Sequence, residues 1–321
     1  MTESAEPTHR AEYARRMNRV LDYIDAHLDQ PLDLARLADV AHFSRFHFHR
    51  IFLVWMGETP GDYARRRRLE KAAFRLSCGT QESVLETAVA TGFGSGEAFA
   101  RAFKLKFGCT PSAWRHDTPA RLARQAGAVG VGARRNPDQS PSNADQVGAR
   151  RIGDHDVSDQ SQEISMDVRL IDLAAKRVAY LRRIGPYGPG IGTFWRATVL
   201  PWVRSHGLEH AVCYGVGHDD PGVTAPDRCR YDACVEVADG FQPGATADLA
   251  TMPGGRYAAA AFRGDPATLG DAWIWLTRSW LPSSGLQCDD RPCFERFQAA
   301  SALDGSAGQL VCELCIPVRP L

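Results

Sequence analysis

Apolar positions in the first third of the chain recur at three- and four-residue intervals, the period of helices that bury one face. The pattern holds from residue 12 to residue 118. It is punctuated by Gly57-Glu58-Thr59-Pro60 and Gly108-Cys109-Thr110-Pro111, where a glycine ends one helix and a Thr-Pro begins the next. Residues 119–163 are rich in Gly, Ala, Ser, Asp and Gln, keep no apolar period, and read as a flexible linker. From residue 164 the period shortens to two, in runs such as "RVAYLRRIG", "YDACVEV", "GRYAAAAFRG" and "LVCELCIPV". Two apolar helices interrupt these strands, one from Ile191 to Ser205 and one from Pro266 to Leu281. The expected chain is multidomain: an all-α domain over 12–118, a linker over 119–163, and an α+β domain over 164–321 built as two similar halves side by side.

Within the all-α part, "SRFHFHRIFLVWMGETP" (Ser44 to Pro60) aligns without a gap on "SGEAFARAFKLKFGCTP" (Ser95 to Pro111). The offset is 51 residues, and carried upstream it places Leu34 on Leu85 and Ala41 on Gly92. Each unit reads as an apolar helix, a tight turn and a second helix opened by a serine N-cap, Ser44 or Ser95, which is helix-turn-helix architecture. Phe48 and Phe52, like Phe99 and Phe103, lie four apart and are expected to bury against the partner helix. The outward positions are then Arg45, Phe46, His49 and Arg50 in the first unit, and Gly96, Glu97, Ala100 and Arg101 in the second. Such side chains at the start of an exposed helix reach base edges in a major groove, where arginine chelates guanine. Glu97 either accepts from cytosine or simply favours the helix N-terminus, and Gly96 has no side chain with which to read a base. Between the units Arg65 to Arg68 form a basic block. It is either a solvated helix face or, through Arg67, a contact to passing phosphates.

Composition narrows the setting. The 321 residues carry 38 basic and 38 acidic side chains, but residues 12–118 hold 16 against 13, whereas 164–321 hold 15 against 17. That modest basic excess suits a phosphate partner. Nine cysteines, an odd and scattered set, fit a reducing compartment better than a disulfide framework. Cys312 and Cys315 stand three apart on an alternating strand and face opposite ways. Cys229 with Cys234, and Cys288 with Cys293, lack zinc-ligand spacing, so no metal or cofactor is expected. No apolar run approaches the ~20 residues of a membrane span and the first residues have no apolar signal core, so a cytoplasmic protein without a membrane partner is expected.

The two units, the connecting "RRLEKAAFRL" and the stretch "ETAVATGFGSGEAFARAFKLKFGCTPSAWR" together resemble the AraC/XylS family of transcription regulators over residues 12–118. Gly92-Phe93, Phe99, Arg101, Phe103, Phe107-Gly108, Pro111 and Arg115 stand at that family's spacing. The resemblance implies a seven-helix, two-lobed domain whose long central helix sets two reading helices in adjacent major grooves, with contacts from Phe46, His49, Arg50, Gly96, Glu97 and Arg101. It also implies double-stranded DNA and RNA polymerase as partners, and tilts toward activation. Residues 164–321, with "RRIGPY", "WLPSSG", "PCFERF" and "ELCIPV" in order, resemble the GyrI-like effector-binding domain. That resemblance implies an aromatic cleft with an acid at its floor, binding an amphipathic and often cationic small-molecule effector.

Glu295 in "PCFERF" is the acid the sequence offers. On an alternating strand it shares a face with Cys293 and Phe297, and a carboxylate among apolar groups is costly to bury without a cation. The other reading pairs it at the surface with Arg291 or Arg296. Glu313 is a second candidate acid. Trp195 and Trp273, one on each helix, either line the cleft or fill the core. Tyr187, at a turn after Gly185-Pro186, is expected on the rim with its hydroxyl in water. A ligand-responsive regulator follows, in which the linker makes a tether more natural than a rigid lever. The alternatives are a small-molecule hydrolase with Glu295 as base and Tyr187 beside it, for which no Ser-His-Asp order, metal set or phosphate loop appears, and an architectural DNA binder.

Overall fold

The computed structural model describes residues 9–77, 82–118, 166–303 and 309–321, and the segment read as a linker lies outside them. Six helices, α1 (His9–Ala26), α2 (Leu34–Val40), α3 (Arg45–Met56), α4 (Pro60–Ser77), α5 (Val84–Ala90) and α6 (Gly96–Phe107), are followed by α7 over residues 111–118. The long helix α4 divides its buried side between two cores. Tyr63 and Ala64 pack with Met17, Leu21, Leu37, Phe48 and Phe52. Leu69, Ala72, Ala73 and Leu76 pack with Ala88, Phe99, Phe103 and Trp114. One helix thus joins two lobes, each holding one helix-turn-helix unit.

The repeat keeps its register through α3 and α6 but loses it one turn earlier. α2 and α5 run from Leu34 to Val40 and from Val84 to Ala90, an offset of 50 residues. The next turns each hold a left-handed residue, His42 at φ 53° and Gly92 at φ 80°, after which Phe43 and Phe93 donate back to the carbonyls of Ala38 and Ala88. Gly94 is the inserted residue. Leu34 therefore matches Val84, and His42 matches Gly92, in place of the Leu85 and Ala41 assignments that a gapless alignment gives. A Cβ on Gly92 would also run into the carbonyl of Leu28, so this position excludes a side chain on two grounds.

The second domain is one antiparallel sheet. Its strands are β1 (Val168–Leu173), β2 (Lys176–Ile184), β3 (Cys213–Gly217), β4 (Arg230–Glu236), β5 (Asp248–Met252), β6 (Gly255–Gly264), β7 (Leu286–Cys288), β8 (Phe294–Phe297) and β9 (Leu310–Pro320). Their order is β1-β6-β9-β8-β3-β4-β2-β5, with β7 added on β9. The two halves join through β3 and β8 and exchange their first strands, β1 pairing with β6 and β5 with β2.

Two helices cover one face. α8 comprises Pro189–Phe194, a π-helical turn Trp195–Val199, and Leu200–Ser205. α9 comprises Leu269–Trp275, a π-helical turn Leu276–Trp280, and Leu281–Ser283. Each wide turn ends at a Leu-Pro, where proline has no N–H for the carbonyl four residues back. Strand alternation sends Cys312 into the core beneath these helices and Cys315 to the opposite face.

Candidate DNA-reading helices and effector site

Ser95 caps α6 by accepting from the Ala98 N–H at 3.2 Å, whereas Ser44, at the equivalent place before α3, turns its hydroxyl to His47 Nδ1 at 3.1 Å. Gly57 and Gly108 end the two helices in the left-handed conformation, at φ 70° and 77°. Phe48, Phe52, Phe99 and Phe103 are fully buried. Ser44, His49, Arg50, Ser95, Glu97 and Arg101 are exposed, and Gly96 and Ala100 are half-buried. The side chains of Arg45 and Phe46 lie outside the described residues.

The basic block between the units departs from the phosphate-contact reading. Of its four arginines only Arg65 is exposed. Arg66 pairs with Glu58 at 2.7 Å and with Glu70 at 3.0 Å, and Arg68 donates to the carbonyls of Leu28 and Gln30. Arg67, 8% exposed, pairs with Asp25, with Glu70 and with Asp219 of the second domain. Arg67 is therefore an interdomain residue with no free face for a phosphate.

Glu295 points from β8 into the helix-covered side of the sheet. Trp273 Nε1 of α9 donates to one carboxylate oxygen at 3.2 Å, and the Tyr231 hydroxyl of β4 donates to the other at 3.1 Å. Tyr231 accepts in turn from Trp195 Nε1 of α8 at 3.0 Å, and Trp195 meets Phe297 edge-on with ring centroids 6.0 Å apart. Strand β3 runs between β4 and β8, with Gly215 opposite both Ala233 and Glu295. A Cβ at Gly215 would overlap the Tyr231 hydroxyl and the Glu295 carboxylate, so the bare backbone is what lets the two meet. Sequence reasoning did not single out Tyr231, because its partner lies two strands away. The glycine inside "CYGVG" was the available signal.

Glu295 is half-buried and forms no ion pair among the described residues, since Arg291 holds Asp289 and Arg296 holds Glu313. Burial pushes its carboxyl up to about 7, against two hydrogen bonds that favour the charged form. Two other expectations change. Glu313 faces the opposite side of the sheet, in register with Arg296, and is ion-paired with Arg296 and Arg169, so it does not join Glu295. The Tyr187 hydroxyl is not at a wet rim. It donates to the Arg230 carbonyl at 2.7 Å and accepts from the Asp219 N–H at 3.1 Å, with its ring edge-on to Tyr231. Trp195 is buried in the core and Trp273 half-buried beside it, so each tryptophan serves packing and the carboxylate network together.

A chain built this way joins duplex recognition in one domain to small-molecule recognition in another, the class of ligand-responsive DNA-binding regulators. Residues 37–117 match a helix-turn-helix domain family, and residues 166–319 match the GyrI-like small molecule binding domain. The Right origin-binding protein of Escherichia coli (strain K12) is 26% identical over 317 residues, covering 94% of this chain and 96% of that protein. The DNA gyrase inhibitor of Edwardsiella piscicida is 33% identical over 161 residues, 48% of this chain and 99% of that protein. The regulatory protein SoxS of Escherichia coli (strain K12) is 36% identical over 97 residues, 30% of this chain and 90% of that protein. The chain belongs to the AraC/XylS-type helix-turn-helix regulators that carry a C-terminal GyrI-like domain. It is a sequence-specific DNA-binding regulator with a small-molecule-sensing domain. No helix among the described residues is long and apolar enough to cross a membrane.

Proposed function

We propose that α3 and α6 enter successive major grooves of an asymmetric duplex site, and that an amphipathic cation seated at Glu295 sets the output. On this reading His49 and Arg50 read one block of bases and Glu97 and Arg101 another, with Ser44 and Ser95 at the helix tips. Activation through RNA polymerase in the cytoplasm is the mode of action we favour.

One observation carries the choice of effector. Glu295 is a half-buried acid with two neutral donors and no cationic partner among the described residues, beside the aromatic groups Tyr231, Trp195, Trp273 and Phe297. A carboxylate so placed is poorly compensated, and aromatic faces attract positive charge, so a ligand that is both apolar and cationic answers both needs. Selection of bound duplexes from random DNA, with and without tetraphenylphosphonium, tests the proposal. Two separated blocks of fixed sequence are expected. Recovery of unenriched sequence would remove the DNA-reading claim, and absence of cation binding to wild-type protein would remove the effector claim.

A further inference from the structure

The two domains meet through charge. The side chain of Asp219, in the loop after β3, is fully buried and ion-paired with Arg67 of α4 and with Arg230 of β4. Arg230 reaches Asp25 of α1 at 2.7 Å and donates to the Tyr63 hydroxyl of α4 at 2.8 Å. Burial opposes ionisation of Asp25 and of Asp219, but Arg230 and Arg67 outweigh it and hold both carboxyls below their usual range.

Two further contacts flank this cluster. Arg228 pairs with Glu58, just ahead of α4, and Asp290 pairs with Arg75 near its far end, each at 2.9 Å. Val223 packs on the core of the second lobe. The sensing domain therefore grips α4 at its start, middle and end, and with it both lobes that α4 joins.

The middle grip touches the Glu295 site. Tyr231, which donates to Glu295, lies edge-on to Tyr187 with ring centroids 6.4 Å apart. The Tyr187 hydroxyl holds the backbone of Asp219 and of Arg230, residues of the sensing domain that grip Arg67, Tyr63 and Asp25. An unbroken chain of contacts thus runs from Glu295 to the helix that joins the two reading lobes.

We propose that Tyr187 is the positioning residue that couples the Glu295 site to the grip on α4. A ligand lodged against Tyr231 shifts the Tyr187 ring, its hydroxyl leaves the backbone of Asp219 and Arg230, and the cluster with Arg67 and Asp25 loosens. The two lobes then lose the brace that fixes their relative placement, which changes duplex affinity. The inference rests on the reading of Glu295 as the effector site. It replaces the passive tether expected from the linker with a contact route.

The test uses the full-length chain, tetraphenylphosphonium as the probe, and a duplex selected from random sequence. In wild-type protein, saturating cation should change the duplex Kd by about fivefold or more. Arg67→Met, and separately Asp219→Asn should Arg67→Met fold poorly, should bind the cation at least as tightly as wild type while bringing that change to within about twofold of none. A variant that retains the full change overturns the proposal. A second measurement needs no ligand: amide hydrogen exchange across α1 and α4. Tyr187→Phe and Arg67→Met should each speed exchange there, and the double variant should exceed neither by much, because both cut one path. Independent, multiplying accelerations would break the link between Tyr187 and Arg67. Failure of the cation to bind would instead count against the effector reading and leave the exchange result to decide the coupling.

Discussion

Lowering the pH from 8 to 6 should weaken the binding of a fixed-charge cation by about tenfold, through Glu295. Burial lifts this carboxyl to about 7. It is then roughly nine-tenths ionised at pH 8 and one-tenth at pH 6, and each pH unit below its midpoint costs binding about 1.4 kcal/mol. The direction follows from which form each state prefers. The empty folded protein holds Glu295 above its ordinary value near 4.5, so the site favours folding in acid, with the carboxyl neutral, and that contribution is lost as pH rises through 7. A bound cation reverses the preference by stabilising the charged form. Titration calorimetry with tetraphenylphosphonium, in buffers of different ionisation enthalpy, reads both consequences: close to one proton released per cation at pH 6 and close to none at pH 8. The ligand has no titrating group, so any dependence belongs to the protein. Glu295→Gln isolates the contribution of this acid and should bind about 2 kcal/mol more weakly at pH 8 with a flat profile. A flat profile in wild-type protein, or Glu295→Gln binding as tightly as wild type, would refute the assignment.

Three substitutions test other parts of the architecture. Gly215→Ala places a methyl group between Tyr231 and Glu295 and should lower the stability of the sensing domain by about 1–3 kcal/mol in chemical denaturation, with loss of cation binding. Gly92→Ala forces a side chain into a left-handed position against the Leu28 carbonyl and should cost about 2 kcal/mol or more, seen as a lower midpoint for the DNA-binding domain. Arg50→Ala should weaken a selected duplex by about 1–3 kcal/mol and random duplex far less, whereas Arg67→Ala should leave the slope of log affinity against log salt unchanged. A slope reduced by about one for Arg67→Ala would return that residue to the phosphate backbone.

The helical repeat was legible because each of its parts is local. A serine cap, two phenylalanines one turn apart and a terminal glycine all act within one helix. The one-residue error in register arose where the turn itself differs. His42 tolerates the left-handed conformation that Gly92 adopts freely, and Gly94 adds a residue that no hydrophobic period records. The order of strands and helices in the sensing domain was legible for the same reason, since alternation and a long apolar helix are short-range signals. The exchange of β1 and β5 between the halves was not, because edge pairing is decided by which strand reaches an open ladder, and both halves present equivalent ladders.

Charge shows where sequence reading stops. Arg65 to Arg68 look alike in the chain, yet α4 turns each by a fixed angle, so one faces solvent while Arg66 and Arg67 find carboxylates and Arg68 finds carbonyls. Two of the partners of Arg67 come from α1 and from beyond β3, and Asp219 lies in "GHDDPG", which reads as an ordinary polar turn. Buried ion clusters are seldom economical as sources of stability, because well-packed apolar residues of the same size hold a fold at least as well. What they provide is dependence: remove one charge and the rest become costly, so the cluster forms whole or fails whole. A contact with that property, placed where a sensing domain meets the helix joining two DNA-reading lobes, suits a junction that must change state more than one that must only hold.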